Sequence, residues 1–149
     1  EMASTGAAEL AAELHCLSAD HLLKASDEVI RALADAGVVA TLLPLTAFSL
    51  REPYARARKM IDAGCIVALA TDFNPGSSFS ASVPLLFALA CIYMQLSPEE
   101  AVTALTINGA AAIDRAAVRG TPIFRARGAP TGKRRARRTA GTIRSDSAS

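Results

Sequence analysis

The chain has 149 residues, 51% of them hydrophobic, with a formal net charge of +2. That length allows one domain with a real core. No apolar run is long enough, or free enough of Arg, Asp and Lys, to cross a membrane as a helix, and no basic-then-apolar leader opens the sequence. The net charge conceals a division: residues 1–115 carry 7 Lys/Arg against 13 Asp/Glu (−6), and residues 116–149 carry 9 against 1 (+8).

In chain order, Ala7 to Leu14 is rich in Ala and Glu and predicts a helix. "HCLSADHL" follows as a short extended piece. Ser26 has the features of an N-cap, with Asp27 and Glu28 in a first turn where the helix dipole favours acids. Val29, Ile30 and Leu33 give that helix its apolar face, and Gly37 its stop. "VVATLLP" is a β-branched and aliphatic run of strand length closed by Pro44. "YARARKMIDAG" predicts a helix with Arg56, Arg58 and Lys59 outward and Gly64 as its stop, and "IVALA" the next strand. Two or three helices then follow without strands, the clearest opening at "SPEE". There Ser97 is the cap, Pro98 the first helical residue and Glu100 the partner of a capping box. The pattern ends near Asp114. Strands alternating with helices, and apolar on both faces, predict an α/β fold with a covered parallel sheet.

Cys16, Cys65 and Cys91 are odd in number and set in apolar text, which predicts small buried hydrophobes in a reducing compartment rather than bridges or zinc ligands. Tyr54 and Phe73 are expected to pack. Residues 116–149 show no apolar face and are expected to be a disordered basic tail. Within it Lys133, Arg134, Arg135, Arg137 and Arg138 could contact phosphates without sequence preference. A solvated tail is the better expectation, because no aromatic stacking residues accompany the cluster.

In parallel α/β folds, side chains at the C-terminal strand ends carry the chemistry. The three ends here offer Asp20 and His21, then Pro44 with Thr46, then Asp72 followed by Asn74, Pro75, Gly76 and Ser77. An ionised carboxylate at a buried strand end needs a metal, an Arg or backbone amides to compensate it. For Asp72, an Asx-turn capping the next helix fits as well as a metal ligand does. His21 alone reads as a structural hydrogen-bonder and Glu1 alone as a solvated acid. Their shared placement is what raises these residues.

Three stretches, "SADHLLKASDEVIRALADAGVVATLLPLTAFSL", "YARARKMIDAGCIVALATDFNPGSS" and "MQLSPEEAVTALTINGAAAI", resemble the imidazolonepropionase family of metal-dependent amidohydrolases over residues 1–115. The resemblance implies the C-terminal part of a TIM-like (β/α) barrel and the hydrolysis of 4-imidazolone-5-propanoate to N-formimidoyl-L-glutamate in histidine degradation. It implies one zinc or iron ion held in part by Asp72, which would also take a proton from the attacking water. It matches His21 to the histidine beside the reacting carbonyl and Asn74, Gly76 and Ser77 to the substrate- and product-binding turn. It matches Glu1 to an acid that orients the substrate ring. A cytoplasmic enzyme, homodimeric when complete, goes with it.

The family's His-x-His metal pair and third metal histidine have no counterpart, since the two histidines are His15 and His21. The chain is therefore expected to be the C-terminal part of such an enzyme, as the lack of Met at position 1 also indicates. The abrupt change to Arg, Ala, Gly, Pro and Thr after residue 115 is what a shifted reading frame in GC-rich coding DNA would produce. The rival expectation is a non-catalytic remnant whose basic tail binds nucleic acid non-specifically.

Overall fold

The computed structural model describes residues 5–115. Its elements are α1 (Ala7–Glu13), β1 (Ser18–Asp20), α2 (Asp27–Ala36), β2 (Val39–Leu42), α3 (Pro44–Leu50), α4 (Ala57–Asp62), β3 (Ile66–Leu69), α5 (Val83–Tyr93), α6 (Pro98–Leu105) and α7 (Ile107–Ala112). Glu1 and residues 116–149, with the Lys133–Arg138 cluster, lie outside the described residues. No described helix is long and apolar enough to cross a membrane.

Every residue of β2 and β3 is buried, because both faces of the sheet are covered. The strands pair in parallel in the order β1-β2-β3. Ala40, Leu42, Val67 and Leu69 belong to the main core with Ile30 and Leu33 of α2 and Met60 of α4. Val39, Ile66 and Ala68 take the other face, where Ala112 of α7 packs on them. Register fixes the site: Asp20, Thr41 and Ala68 lie in one row across the sheet, so all three strands end at nearly the same height.

The local signals act as expected. The Ser26 hydroxyl accepts from the Val29 N–H at 3.3 Å, and Gly37 ends α2 with φ 69°, a left-handed value that glycine adopts without steric cost. Ser97 and Glu100 form the capping box of α6. Elsewhere the structure differs. Pro44 closes β2 but also opens α3, a helix the sequence did not predict, at the first position, where a missing N–H costs nothing. Only Cys65 is fully buried; Cys16 is exposed and Cys91 half-buried. The Cys65 thiol donates to the Ile30 carbonyl at 3.3 Å, and burial pushes its pKa up to about 11. Tyr54 stacks on Tyr93 with centroids 5.2 Å apart. Phe73 is 64% exposed, against the expectation that it packs.

Arg58 joins α4 to α6 through a fork on Glu100, with contacts of 2.8 and 3.1 Å, and Glu100 also accepts the Ser97 N–H at 2.8 Å. Burial raises the Glu100 pKa, but the Arg58 and Ser97 hydrogen bonds outweigh it and hold the carboxyl below the usual glutamate range. A carboxyl depressed in the folded state contributes stability above its unfolded pKa and loses it as pH falls through the folded value. Glu100→Gln should therefore lower stability by about 2 kcal/mol at neutral pH. In denaturant melts across pH 7 to 3 the gap to the parent should close as the carboxyl protonates; a gap that stays constant would contradict this origin.

Leu10 (52%), Leu14 (67%), Leu17 (58%), Ile92 (70%) and Ile113 (68%) are all more than half exposed. Among the described residues β1 has no strand on its outer side, whereas the outer edge of β3 is partly covered by Asn108, whose amide donates to the Val67 carbonyl at 2.9 Å. An open parallel edge beside apolar surface favours association. The isolated 149-residue chain should self-associate in sedimentation velocity; a monodisperse monomer that melts cooperatively would contradict this.

Candidate active site at the strand ends

Parallel pairing in register delivers three chain exits to one end of the sheet. β1 leads into His21, β2 into the first turn of α3 with Thr46, and β3 into Asp72. β1 and β3 are not neighbours; they stand two strand spacings apart, roughly 9–10 Å. Side chains nevertheless close the gap. His21 Nε2 lies 4.0 Å from Asp72 Oδ2, and the Thr46 hydroxyl donates to the same oxygen at 2.8 Å. The separation from His21 is too long for a hydrogen bond, but it brings the imidazole and the carboxylate to one spot. Both side chains are about 30% exposed, 28% for His21 and 30% for Asp72, so a small molecule can reach them.

The backbone at two of these exits is strained. The Leu22 N–H donates to the Asp20 carbonyl at 3.0 Å across His21, whose φ is 68°. This is a γ-turn of the positive-φ kind, a rare and costly conformation. Leu22 is itself left-handed (φ 57°) yet only 1% exposed, so burial of its side chain holds the turn. Asp72 has φ 49°, which Asp tolerates better than most residues. Such outliers cluster at functional sites, where surrounding packing over-determines them.

Beyond Asp72 the chain forms a closed turn organised by Asn74. Asn74 Oδ1 accepts from the Gly76 and Ser77 N–H groups, each at 2.8 Å, and Asn74 Nδ2 donates to the Asp72 carbonyl at 2.6 Å and to Ser77 Oγ at 3.0 Å. The Asx-turn weighed for Asp72 thus belongs to Asn74. A Cβ on Gly76 would sit 3.3 Å from Asn74 Oδ1, a close approach that glycine avoids. Ser78 anchors the far side: its side chain is fully buried and donates to the Thr71 carbonyl at 2.9 Å.

Of the candidate residues, His21 and Asp72 come together and Asn74, Gly76 and Ser77 form one turn beside them, while Glu1 lies outside the described residues. Sequence reasoning placed Thr46 at a strand end but gave it no role, and it passed over Ser78. Of the compensating partners anticipated for Asp72, the structure supplies a hydroxyl instead. Among the described residues no three His, Cys, Asp or Glu side chains gather as a metal site. Asp72 fits as one ligand of such a site: its carboxyl group is partly exposed, and its Oδ1 accepts no hydrogen bond from the described residues.

The chain is similar to known proteins over most of its length. The model of the amidohydrolase family matches residues 2–120. The imidazolonepropionase of Bacteroides thetaiotaomicron is 76% identical over 116 residues, 78% of this chain and 28% of that protein. Those of Parabacteroides distasonis and Clostridium tetani are 72% and 66% identical over 121 residues, 81% of this chain and 29% of each relative. The chain thus spans less than a third of the length of these curated relatives.

Replacing Asn74 by Ala removes the acceptor for two backbone N–H groups and should cost about 1–2 kcal/mol of local stability. Hydrogen exchange should quicken at the Gly76 and Ser77 amides by roughly tenfold or more while the strand amides stay protected. Unchanged exchange at both would show that the amide does not organise the turn.

Proposed function

The chain belongs to the amidohydrolase family, and from that membership we propose that residues 1–115 form the C-terminal arc of a (β/α) barrel that hydrolyses 4-imidazolone-5-propanoate. Water adds to the ring carbonyl carbon, the adjacent C–N bond breaks, a proton passes to the departing nitrogen, and N-formimidoyl-L-glutamate results. The observation that carries this reading is the convergence of the His21 imidazole and the Asp72 carboxylate at the ends of strands that are not neighbours. The identity to imidazolonepropionases supports it.

A bound zinc or iron ion would lower the pKa of a water toward neutrality. Asp72 is the ligand this chain offers, and since catalytic zinc takes three protein ligands plus water, the others come from outside the described residues. Asp72 also stands ready to take the proton of the attacking water, as a carboxylate within reach can. The His21 imidazole donates a hydrogen bond to the carbonyl oxygen as it gains negative charge, an interaction that strengthens only toward the transition state. The γ-turn holds the imidazole there without reorganisation. Asn74 shapes the turn, and Gly76 and Ser77 present it to substrate and product, Gly76 by letting a ligand approach the backbone. Glu1 keeps the role the resemblance gives it, orienting the ring, and as an acid beside that ring it can also pass a proton to the leaving nitrogen. The setting is cytoplasmic and the substrate a small molecule, with residues 116–149 outside the working part.

The test is a complete barrel in which residues 1–115 are joined to the N-terminal part of the Bacteroides thetaiotaomicron relative, with product read by mass spectrometry. Asp72→Ala should lower kcat by roughly 1,000-fold or more. His21→Ala should lower it by roughly 100–1,000-fold with KM little changed. Full turnover by Asp72→Ala, or no turnover by a folded, cation-loaded parent, would overturn the reading.

A further inference from the structure

We propose that Thr46 is a positioning residue for Asp72, fixing the carboxylate so that Oδ1 faces the cation. The inference rests on the amidohydrolase reading above and extends it to a residue that reading leaves without a role. Thr46 is 0% exposed, while the Asp72 side chain it bonds is 30% exposed. A threonine hydroxyl has one proton to donate. Given to Oδ2 at 2.8 Å, it leaves Oδ1 without a hydrogen bond from any described residue.

The placement is specific to the topology. His21 and Asp72 enter from β1 and β3, so a donor for the space between them must come from the exit of β2. Pro44 ends β2 and starts α3 at once, which carries residue 46 over the end of the sheet. Leu45 and Ala47, each 1% exposed, lock that turn in the core. A helical threonine often satisfies its hydroxyl on a carbonyl three or four residues earlier. Here it bonds neither: Leu42 O accepts from the Ala70 N–H at 3.1 Å and Leu43 O from the Ala47 N–H at 3.3 Å, and the one hydroxyl proton goes to Asp72 Oδ2. Asp72 sits in an irregular segment with φ 49°, and its carboxyl group accepts no other side-chain hydrogen bond from the described residues.

The experiment uses the complete barrel described above as parent, Thr46→Val and Thr46→Ser, with zinc affinity measured against a competing chelator and kcat and KM measured separately. Loss of the partner that orients a metal ligand should weaken zinc binding by roughly 10–100-fold in Thr46→Val. kcat should fall with it and KM change little, while Thr46→Ser restores both. The zinc-free melting temperature should be shared by all three proteins. Parent-like zinc affinity in Thr46→Val would overturn the proposal, as would a folded Thr46→Ser that fails to rescue. Should Thr46→Val not fold, Thr46→Ala takes its place in the same comparison. If the parent binds zinc but does not hydrolyse imidazolone propanoate, the proposed reaction fails, and the affinity contrast still decides Thr46.

Discussion

Parallel pairing in register is the constraint on which everything else here depends. Ser18, Val39 and Ile66 share one row and Asp20, Thr41 and Ala68 the next but one, so three chain exits emerge side by side at the same height. A slip of one residue in β1 would turn Ala19 out of the core and carry His21 away from Asp72. The register is held by burial on both faces. Leu33, Leu42 and Met60, all fully buried, clamp one side, while Ala68 and Ala112 close the other. The same packing that makes β2 and β3 apolar throughout therefore decides where the polar groups meet.

At those exits the fold accepts local cost. A γ-turn at His21 and left-handed backbone at Leu22 and Asp72 are each worth roughly 1–3 kcal/mol of strain. Complete burial of Leu22 returns a comparable amount, about 1.5–3 kcal/mol. Part of the strain is thus offset next to where it arises, and the imidazole is held by a packed neighbour instead of by a bond of its own to the carboxylate. Asp72 is held differently, by the Thr46 hydroxyl on one side and by the Asn74 amide on its backbone carbonyl. Helix ends, turn and sheet act together on two side chains.

What could be read in advance was local. Ser26 with Gly37, and Ser97 with Glu100, bracket their helices through contacts three or four residues apart, and the apolar runs of β2 and β3 declare a covered parallel sheet. α3 was not legible. Leu43 gives it no side-chain cap, and "PLTAFSL" after a strand looks like a strand terminator followed by apolar loop. Phe73 and Cys16 were misjudged because an apolar neighbourhood in sequence does not say which way an irregular segment turns. Thr46 illustrates the deeper limit, since its partner lies 26 residues away and only the sheet brings them together. His21, Asp72 and the 74–77 turn were found through strand-end position together with family resemblance, and neither alone would have separated them from ordinary turn residues.

The account's central claim is that these strand ends were built to present the Asp72 carboxylate to a divalent ion. Anomalous diffraction at the zinc edge, on crystals of the complete barrel, addresses it directly. The expected result is an ion with an Asp72 oxygen about 2.0–2.2 Å away and the Thr46 hydroxyl still on the other oxygen. An ion bound elsewhere, with Asp72 paired only to protein donors, would contradict it.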